Sequence, residues 1–563
     1  MRPTVTRSPV LSSPSWPEET RARYRAAGHW TDETFADFVA DRCERFAVRP
    51  AVVGVDIHGR EVRWTYADLG AEADRVARGL RTIGVTPGDR VIVALPNVVE
   101  YVATVLGLFR LGALPVFALP THREVELAQF CQIADAAALV GCGAELKTTY
   151  DALVDRLEDV APPLLIDVSE QAWLAGGVGP TGTSPAAGTS PAAAGRTAAG
   201  PTAEETGFLQ LSGGTTGISK LIPRTAADYL YSVRASAQIC RLTSADVMLV
   251  VLPAAHNFAM SSPGILGVLH VGGTVVLAPE ASPRTGFALI ERERVTTVAL
   301  VPPLAQAWIS AARRRKPDLT SLHTVQVGGA KLNDVVARDI EPVLHGRLQQ
   351  VFGMAEGLVN YTRADDPDDL VVMTQGRPIS ADDEIRVVDA DGADVPAGEE
   401  GALLTRGPYT IRGYYGAERW VGTVNADSFT ADGFYRTGDL VRRLPSGHLV
   451  VTGRDKDQIN RAGEKIAADE IEGHVLAHPD VLDAVVLGLP DDRLGERICI
   501  VVQVEPGREP PRDLPGYLRT AGLATYKIPD SVVFLDDLPA THVGKNSRRE
   551  LRRVLADQMT ASS

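Results

Sequence analysis

Residues 71–118 read AEADRVARGLRTIGVTPGDRVIVALPNVVEYVATVLGLFRLGALPVFA. The segment opens on a helical stretch, Ala71 to Thr82. It then carries two apolar runs, Arg90-Val-Ile-Val-Ala-Leu95 and Ala113-Leu-Pro-Val-Phe-Ala118. Short β-branched runs alternating with helical stretches predict parallel sheets covered by helices, an α/β fold. Val247-Met-Leu-Val-Val-Leu252 and Thr296-Thr-Val-Ala-Leu-Val301 continue the alternation downstream.

Outward from this core the pattern changes. On the N-terminal side, Trp16 to Trp30 reads as a short amphipathic helix behind a flexible tail, residues 1–15. Gly176 to Glu204 is nearly all Gly, Ala, Thr, Ser and Pro, with the near-repeat GTSPAAGTSPAAAG. Too little apolar surface is available there to offset ordering entropy, so a disordered insertion or linker is expected. From about Ile385, short strands with turn signals predict a small antiparallel or barrel-like unit reaching residue 453: Ile385-Arg-Val-Val388, Gly401-Ala-Leu-Leu-Thr405 and Gly447-His-Leu-Val-Val-Thr452. After Gly453 helices and strands mix again, long enough for a separate small domain, 454–563.

At 563 residues the chain exceeds one core and is expected to hold two or more domains. A net charge of -14 provides no basic excess for general nucleic-acid binding. Cys43, Cys131, Cys142, Cys240 and Cys499 form no C-x-x-C pair, which suits free thiols in a reducing cytoplasm. The first residues lack an apolar signal region, and no uncharged run of about 18 apolar residues is present, so neither secretion nor a membrane span is expected.

Several short motifs carry chemistry. Leu211-Ser-Gly-Gly-Thr-Thr-Gly-Ile-Ser-Lys220 joins glycines, hydroxyls and a lysine between apolar stretches, which suits a triphosphate. It departs from the Walker pattern, and a plain flexible turn is the competing reading. Gly177-Val-Gly-Pro-Thr-Gly182 matches G-x-G-x-x-G formally, but Pro180 and its low-complexity setting reject it as a dinucleotide site. His474 and His478 share helical spacing without the glutamate of a zinc motif; a solvated face explains them. Phe352-Gly-Met-Ala-Glu-Gly357 places a carboxylate beyond a strand end, suited to Mg²⁺ and equally to capping. Tyr435-Arg-Thr-Gly-Asp439 reads as a turn whose aspartate could accept both ribose hydroxyls; an ordinary turn aspartate is the default. Gly453-Arg-Asp-Lys-Asp-Gln458 lies at the expected domain boundary, and Pro539-Ala-Thr-His-Val-Gly-Lys545 puts a lysine at the tip of a glycine turn.

The order of these motifs resembles the adenylate-forming superfamily of acyl-CoA synthetases, nonribosomal peptide synthetase adenylation domains and firefly luciferase. The resemblance runs from about Trp16 to Asp557. Within it, Ala255-His-Asn-Phe-Ala-Met-Ser-Ser-Pro-Gly264, Gly353-Met-Ala-Glu-Gly-Leu-Val-Asn-Tyr-Thr362 and Arg406-Gly-Pro-Tyr-Thr-Ile-Arg-Gly-Tyr-Tyr415 look like the stand-alone aryl acid ligases, the 2,3-dihydroxybenzoate–AMP ligases. The resemblance implies a large N-terminal domain, 16–453, of two parallel-type sheets and a β-barrel-like subdomain. A small mobile α+β C-terminal domain, 454–563, would follow.

By the same resemblance, Ser212, Gly213, Gly214, Thr215, Thr216, Gly217 and Lys220 would hold the ATP phosphates and Glu356 a Mg²⁺ ion. Gly329 and Val351 would border the adenine, and Asp439 with Arg454 would grip the ribose. Lys456 matches the hinge and Lys545 the catalytic lysine of adenylation. His256 would lie near the substrate carboxylate, and Asn257 would bond the ortho hydroxyl. Phe258, Ser262, Gly328 and Val359 would complete the aryl pocket. Ser at 262 and Val at 359 leave room and polarity for a 3-hydroxyl, favouring 2,3-dihydroxybenzoate over salicylate. An aryl carrier protein bearing phosphopantetheine is the implied partner, with an aryl-CoA product as the alternative. Ala462 stands where the family usually has glycine, and Trp420 to Val424 looks like a short insertion with no assigned role.

Overall fold

The structure is a computed structural model. It describes residues 10–11, 14–157, 160–170, 200–212, 220–454, 458–461, 464–491, 494–504, 507–521, 523, 527–539 and 547–561. The chain divides into two compact units. One comprises Met1–Ala281, Ala355–Gly357 and Gly407–Gly433; the other comprises Ser282–Met354, Leu358–Arg406 and Phe434–Ser563.

The expected α/β class is what the chain adopts. In the first unit, strands Leu164–Asp167, Ala138–Gly141, Arg90–Val93, Leu114–Phe117 and Thr206–Leu211 follow one another in parallel, and Leu221–Thr225 closes the sheet antiparallel. Arg90–Val93 and Leu114–Phe117 are buried at every position, as strands covered on both faces must be. Between them runs the helix Val99–Leu111, buried nearly all round and ended by Gly112 at φ 78°. The same unit carries Val247–Val250, Thr274–Leu277 and Pro50–Val55 in parallel, with Glu61–Thr65 returning antiparallel.

The second unit repeats the theme with Thr297–Leu300, Thr324–Gly328 and Arg347–Gly353 in parallel, followed by antiparallel Val359–Tyr361 and Arg377–Pro378. Glu384–Val388, Glu400–Arg406, Tyr435–Arg443 and Leu449–Arg454 then form a four-stranded antiparallel sheet, in the region read as antiparallel or barrel-like. Its inner face is an apolar cluster of Leu358, Val387, Leu403, Val441, Leu449 and Val451. A last sheet pairs Val481–Asp491 with Gly495–Val504, to which Ser531–Leu535 adds in parallel. Alternation sorts its side chains. Val486, Ile498, Ile500 and Val502 pack with Ile471 and Leu518, while Leu487, Cys499 and Val501 pack with Leu551 and Leu555.

Three local expectations need correction. Residues 10–15 were expected in a flexible tail, yet Val10 packs on the first unit's core, Leu11 N donates to Tyr415 Oη at 3.3 Å, and Ser15 O accepts from Arg412 at 2.8 Å. Residues 200–204 were expected in a disordered insertion. Ala203 is buried there, and Glu204 pairs with Arg21 and Arg25 of the helix Glu18–Ala26, so charge and burial order what composition does not. The rest of the insertion, 176–199, lies outside the described residues. Tyr435–Asp439 is not a free turn but the head of a strand, because neighbours on both sides satisfy its backbone.

Candidate active site

The glycine-rich motif begins where Thr206–Leu211 ends and closes where Leu221–Thr225 begins. Its two ends are clamped: Ser212 N donates to Lys220 O at 3.0 Å, and Lys220 N donates to Ser212 Oγ at 3.1 Å. Gly213, Gly214, Thr215, Thr216 and Gly217 lie outside the described residues. The Lys220 ammonium sits 4.6 Å from the centre of the Tyr414 ring. The Tyr414 hydroxyl donates to Glu356 Oε1 at 3.0 Å. Lysine and carboxylate, far apart in sequence, thus meet on the same tyrosine.

Glu356 is 6 % exposed, and its other oxygen has no hydrogen-bond partner among the described residues. A buried carboxylate with one oxygen fixed and one uncommitted fits Mg²⁺, which takes few protein ligands and completes its shell with phosphates and water. Among the described residues no group of three or more His, Cys, Asp or Glu could hold a metal by itself.

Arg224 holds this segment in place. It is buried, and donates to Ala355 O at 2.7 Å and Tyr409 O at 3.0 Å. It also pairs with Asp228 at 3.1 Å and lies over the Tyr229 ring. Burial pushes the Asp228 carboxyl above the ordinary carboxylate range, against the pull of Arg224 and Thr225. Gly357 lies so close to Thr410 that a Cβ would meet its Cα at 2.7 Å, so glycine is required there.

Also in the first unit, His256 caps the short helix Asn257–Ser261, its Nδ1 accepting Phe258 N at 3.2 Å. That bond places the neutral ring's proton on Nε2. Asn257 Oδ1 accepts from the buried Tyr229 hydroxyl at 2.8 Å. Phe258 and Ser262 are buried. The entry to this segment is fixed by Asn97, whose amide donates to Leu252 O at 2.9 Å and accepts Ala254 N at 2.8 Å.

The second unit carries the residues matched to adenine on one sheet and those matched to ribose on another. Gly328 ends one strand directly opposite Val351 of the next, and Gly329 follows at φ 88°. Val359 lies across from Gly353 on the neighbouring strand. Asp439, 4 % exposed, faces Arg454 across paired strands, with Nε 2.9 Å from Oδ1. Lys456 and Lys545 lie outside the described residues, as do Ala462 and Gly463. The base of the Lys545 segment is described: Ser547 N donates to Pro539 O at 2.7 Å, and Arg548 bonds Asp469 at 3.0 Å and Glu472 at 2.6 Å. Burial raises the Glu472 carboxyl to about 7 despite Arg548.

Sequence reasoning assigned no role to Tyr414, Arg224, Tyr229 or Asn97. Tyr414 falls inside a quoted motif, but a tyrosine in a string gives no sign of which carboxylate it will meet. Trp420 to Val424, read as an insertion, forms part of the helix Glu418–Ser428, and Asn425 on that helix accepts Tyr414 N at 2.8 Å.

Around the parallel sheets of the first unit, the glycine-rich motif is closed at its two ends, and Lys220 and Glu356 both contact Tyr414. The chain belongs to the AMP-binding enzyme family: residues 39–415 match that family and residues 470–545 match the AMP-binding enzyme C-terminal domain. It is similar to a 2,3-dihydroxybenzoate-AMP ligase of Bacillus subtilis, 48% identical over 97% of this chain and 98% of that protein. It is also similar to a salicyl-AMP ligase / salicyl-S-ArCP synthetase of Mycobacterium tuberculosis, 44% identical over 96% of this chain and 94% of the other. Among solved structures, the apo MbtA of Mycobacterium smegmatis superposes with a TM-score of 0.71 at 42% identity, covering 96% of this chain and 98% of that one.

Proposed function

We propose that the protein is a 2,3-dihydroxybenzoate–AMP ligase. It activates the aryl acid with ATP, releases pyrophosphate and passes the aryl group to the phosphopantetheine thiol of a carrier protein. The observation that carries the reading is the Glu356–Tyr414–Lys220 arrangement beside the clamped glycine-rich motif, in a chain 48% identical to a ligase of that name. In the first half-reaction a substrate carboxylate oxygen bonds the α-phosphorus as the bond to pyrophosphate breaks. Two anions must approach, so positioning and charge neutralisation dominate the catalysis. Lys220 and the 212–220 motif hold phosphate oxygens, Lys545 meets the reacting α-phosphate, and Asp439 with Arg454 orients the ribose. Magnesium bound at Glu356 supplies further neutralising charge. In the second half-reaction the thiolate attacks the acyl carbon and AMP leaves.

His256 orients the substrate carboxylate, and Asn257 bonds the ortho oxygen. Ser262 and Val359 accommodate the 3-hydroxyl, which favours 2,3-dihydroxybenzoate. Salicylate is the second reading because a salicyl-AMP ligase is 44% identical. Residues 454–563 act as the mobile domain, turning about Lys456 between half-reactions, with the cytoplasm as the site of action.

The test is ATP–pyrophosphate exchange with 2,3-dihydroxybenzoate, salicylate, benzoate and a fatty acid. Strongest exchange with 2,3-dihydroxybenzoate is expected. Folded enzyme with magnesium that exchanges with no aryl acid would overturn the assignment, and a salicylate preference would replace the acid.

A further inference from the structure

We infer that Tyr414 is a positioning residue that sets the magnesium carboxylate and the phosphate lysine together. The inference rests on the assignment of Glu356 and Lys220 above. Glu356 alone could rotate its carboxylate; the Tyr414 hydroxyl donates to Oε1 at 3.0 Å and fixes that plane, leaving Oε2 as the oxygen for the cation. The face of the same ring holds the Lys220 ammonium at 4.6 Å, a cation–π contact that places the lysine for phosphate without neutralising it. One side chain therefore contacts both the proposed cation ligand and the proposed phosphate donor.

Tyr414 can do this because it is itself immobilised. It is 3 % exposed, and its backbone N–H donates to Asn425 Oδ1 at 2.8 Å. Its ring meets Phe429 edge-on at 5.9 Å. The next residue, Tyr415, donates N–H to Leu221 O at 2.8 Å, which ties the segment to the residue directly after Lys220. The Glu356 side is tied back as well, since Ile411 N donates to Glu356 O at 2.8 Å.

The two halves of the contact are separable by substitution. Tyr414→Phe removes the hydroxyl and keeps the ring; Tyr414→Leu removes both. Calorimetric binding of a non-hydrolysable ATP analogue, in MgCl₂ and again in EDTA, reads the halves without turnover. Tyr414→Phe should weaken binding about tenfold in magnesium, the scale of one lost charge-assisted hydrogen bond, and leave binding in EDTA close to the parent. Tyr414→Leu should weaken binding in EDTA as well, because Lys220 loses its support. In exchange kinetics the KM for ATP should rise more than the KM for the aryl acid. A Glu356→Gln control separates the two claims. If it abolishes the magnesium-dependent gain while Tyr414→Phe keeps the full gain, the positioning role of Tyr414 is wrong. If Glu356→Gln keeps the gain, the magnesium assignment itself fails. Should Tyr414→Leu fold poorly by circular dichroism, Tyr414→Phe still decides.

Discussion

Asn257 accepts a hydrogen bond from the Tyr229 hydroxyl through Oδ1, which turns its Nδ2 group away from Tyr229. An ortho hydroxyl that donates to its own carboxylate retains lone pairs for such an N–H. Tyr229→Phe should therefore weaken selection for ortho-hydroxylated acids by roughly one hydrogen bond, about 1 kcal/mol. The ratio of kcat/KM for salicylate over benzoate measures it, and an unchanged ratio removes Tyr229 from the specificity argument. Ser262→Cys should move preference from 2,3-dihydroxybenzoate toward salicylate by a similar amount, read in the same exchange assay. At this scale the motif residues were legible by type and order. Their supporting partners were not, because Tyr229 and Tyr414 act through contacts to residues distant in sequence.

Among the elements, the strand Leu221–Thr225 matters most, since its Arg224 ties two separate chain segments to itself. Arg224→Met leaves Ala355 O, Tyr409 O and the buried Asp228 without their donor. It should cost about 3–5 kcal/mol and lower the thermal midpoint along with magnesium-dependent ATP binding. The residues ahead of the first helix act in the same direction. Trp16 is buried under the Arg412 guanidinium, 4.8 Å from the ring centre, two residues before Tyr414. In the second unit, His448 Nε2 lies 3.0 Å from Asp366 Oδ2, and both are buried. Burial alone would raise the Asp366 carboxyl, but His448, the Arg363 amide and Arg377 outweigh it and hold it below the ordinary range. A carboxyl depressed in the folded state stabilises the fold above its unfolded pKa and loses that contribution as pH falls through the folded value. Asp366→Asn should thus lower the thermal midpoint at pH 7, with the gap to the parent closing below about pH 3.9. A constant gap across pH would assign the effect to packing instead.

For the molecule as a whole, the decisive prediction concerns the two half-reactions. Lys545→Ala should abolish aryl-adenylate formation and largely spare thioester formation from supplied aryl-AMP. Equal loss in both assays would contradict a lysine that serves one step only. Arg548 bonds Asp469 and Glu472 on the helix Ala468–Leu476. No helix among the described residues is long and apolar enough to cross a membrane.

The sequence by itself determined the α/β class, because short β-branched runs alternating with helical stretches are buried as strands of helix-covered sheets, as Arg90–Val93 and Leu114–Phe117 are. It also determined the family, through motifs whose order is linear information. Composition misjudged residues 200–204, where two arginines of another element supply the order, and turn chemistry misjudged Tyr435–Asp439, where strand pairing on both sides prevails. Only the tertiary structure decided that Glu356 and Lys220 share Tyr414 and that Asn257 is bonded by Tyr229. The physical reason is that strand pairing and core packing place side chains by proximity in space, and a one-dimensional pattern records which groups exist but not which of them will touch.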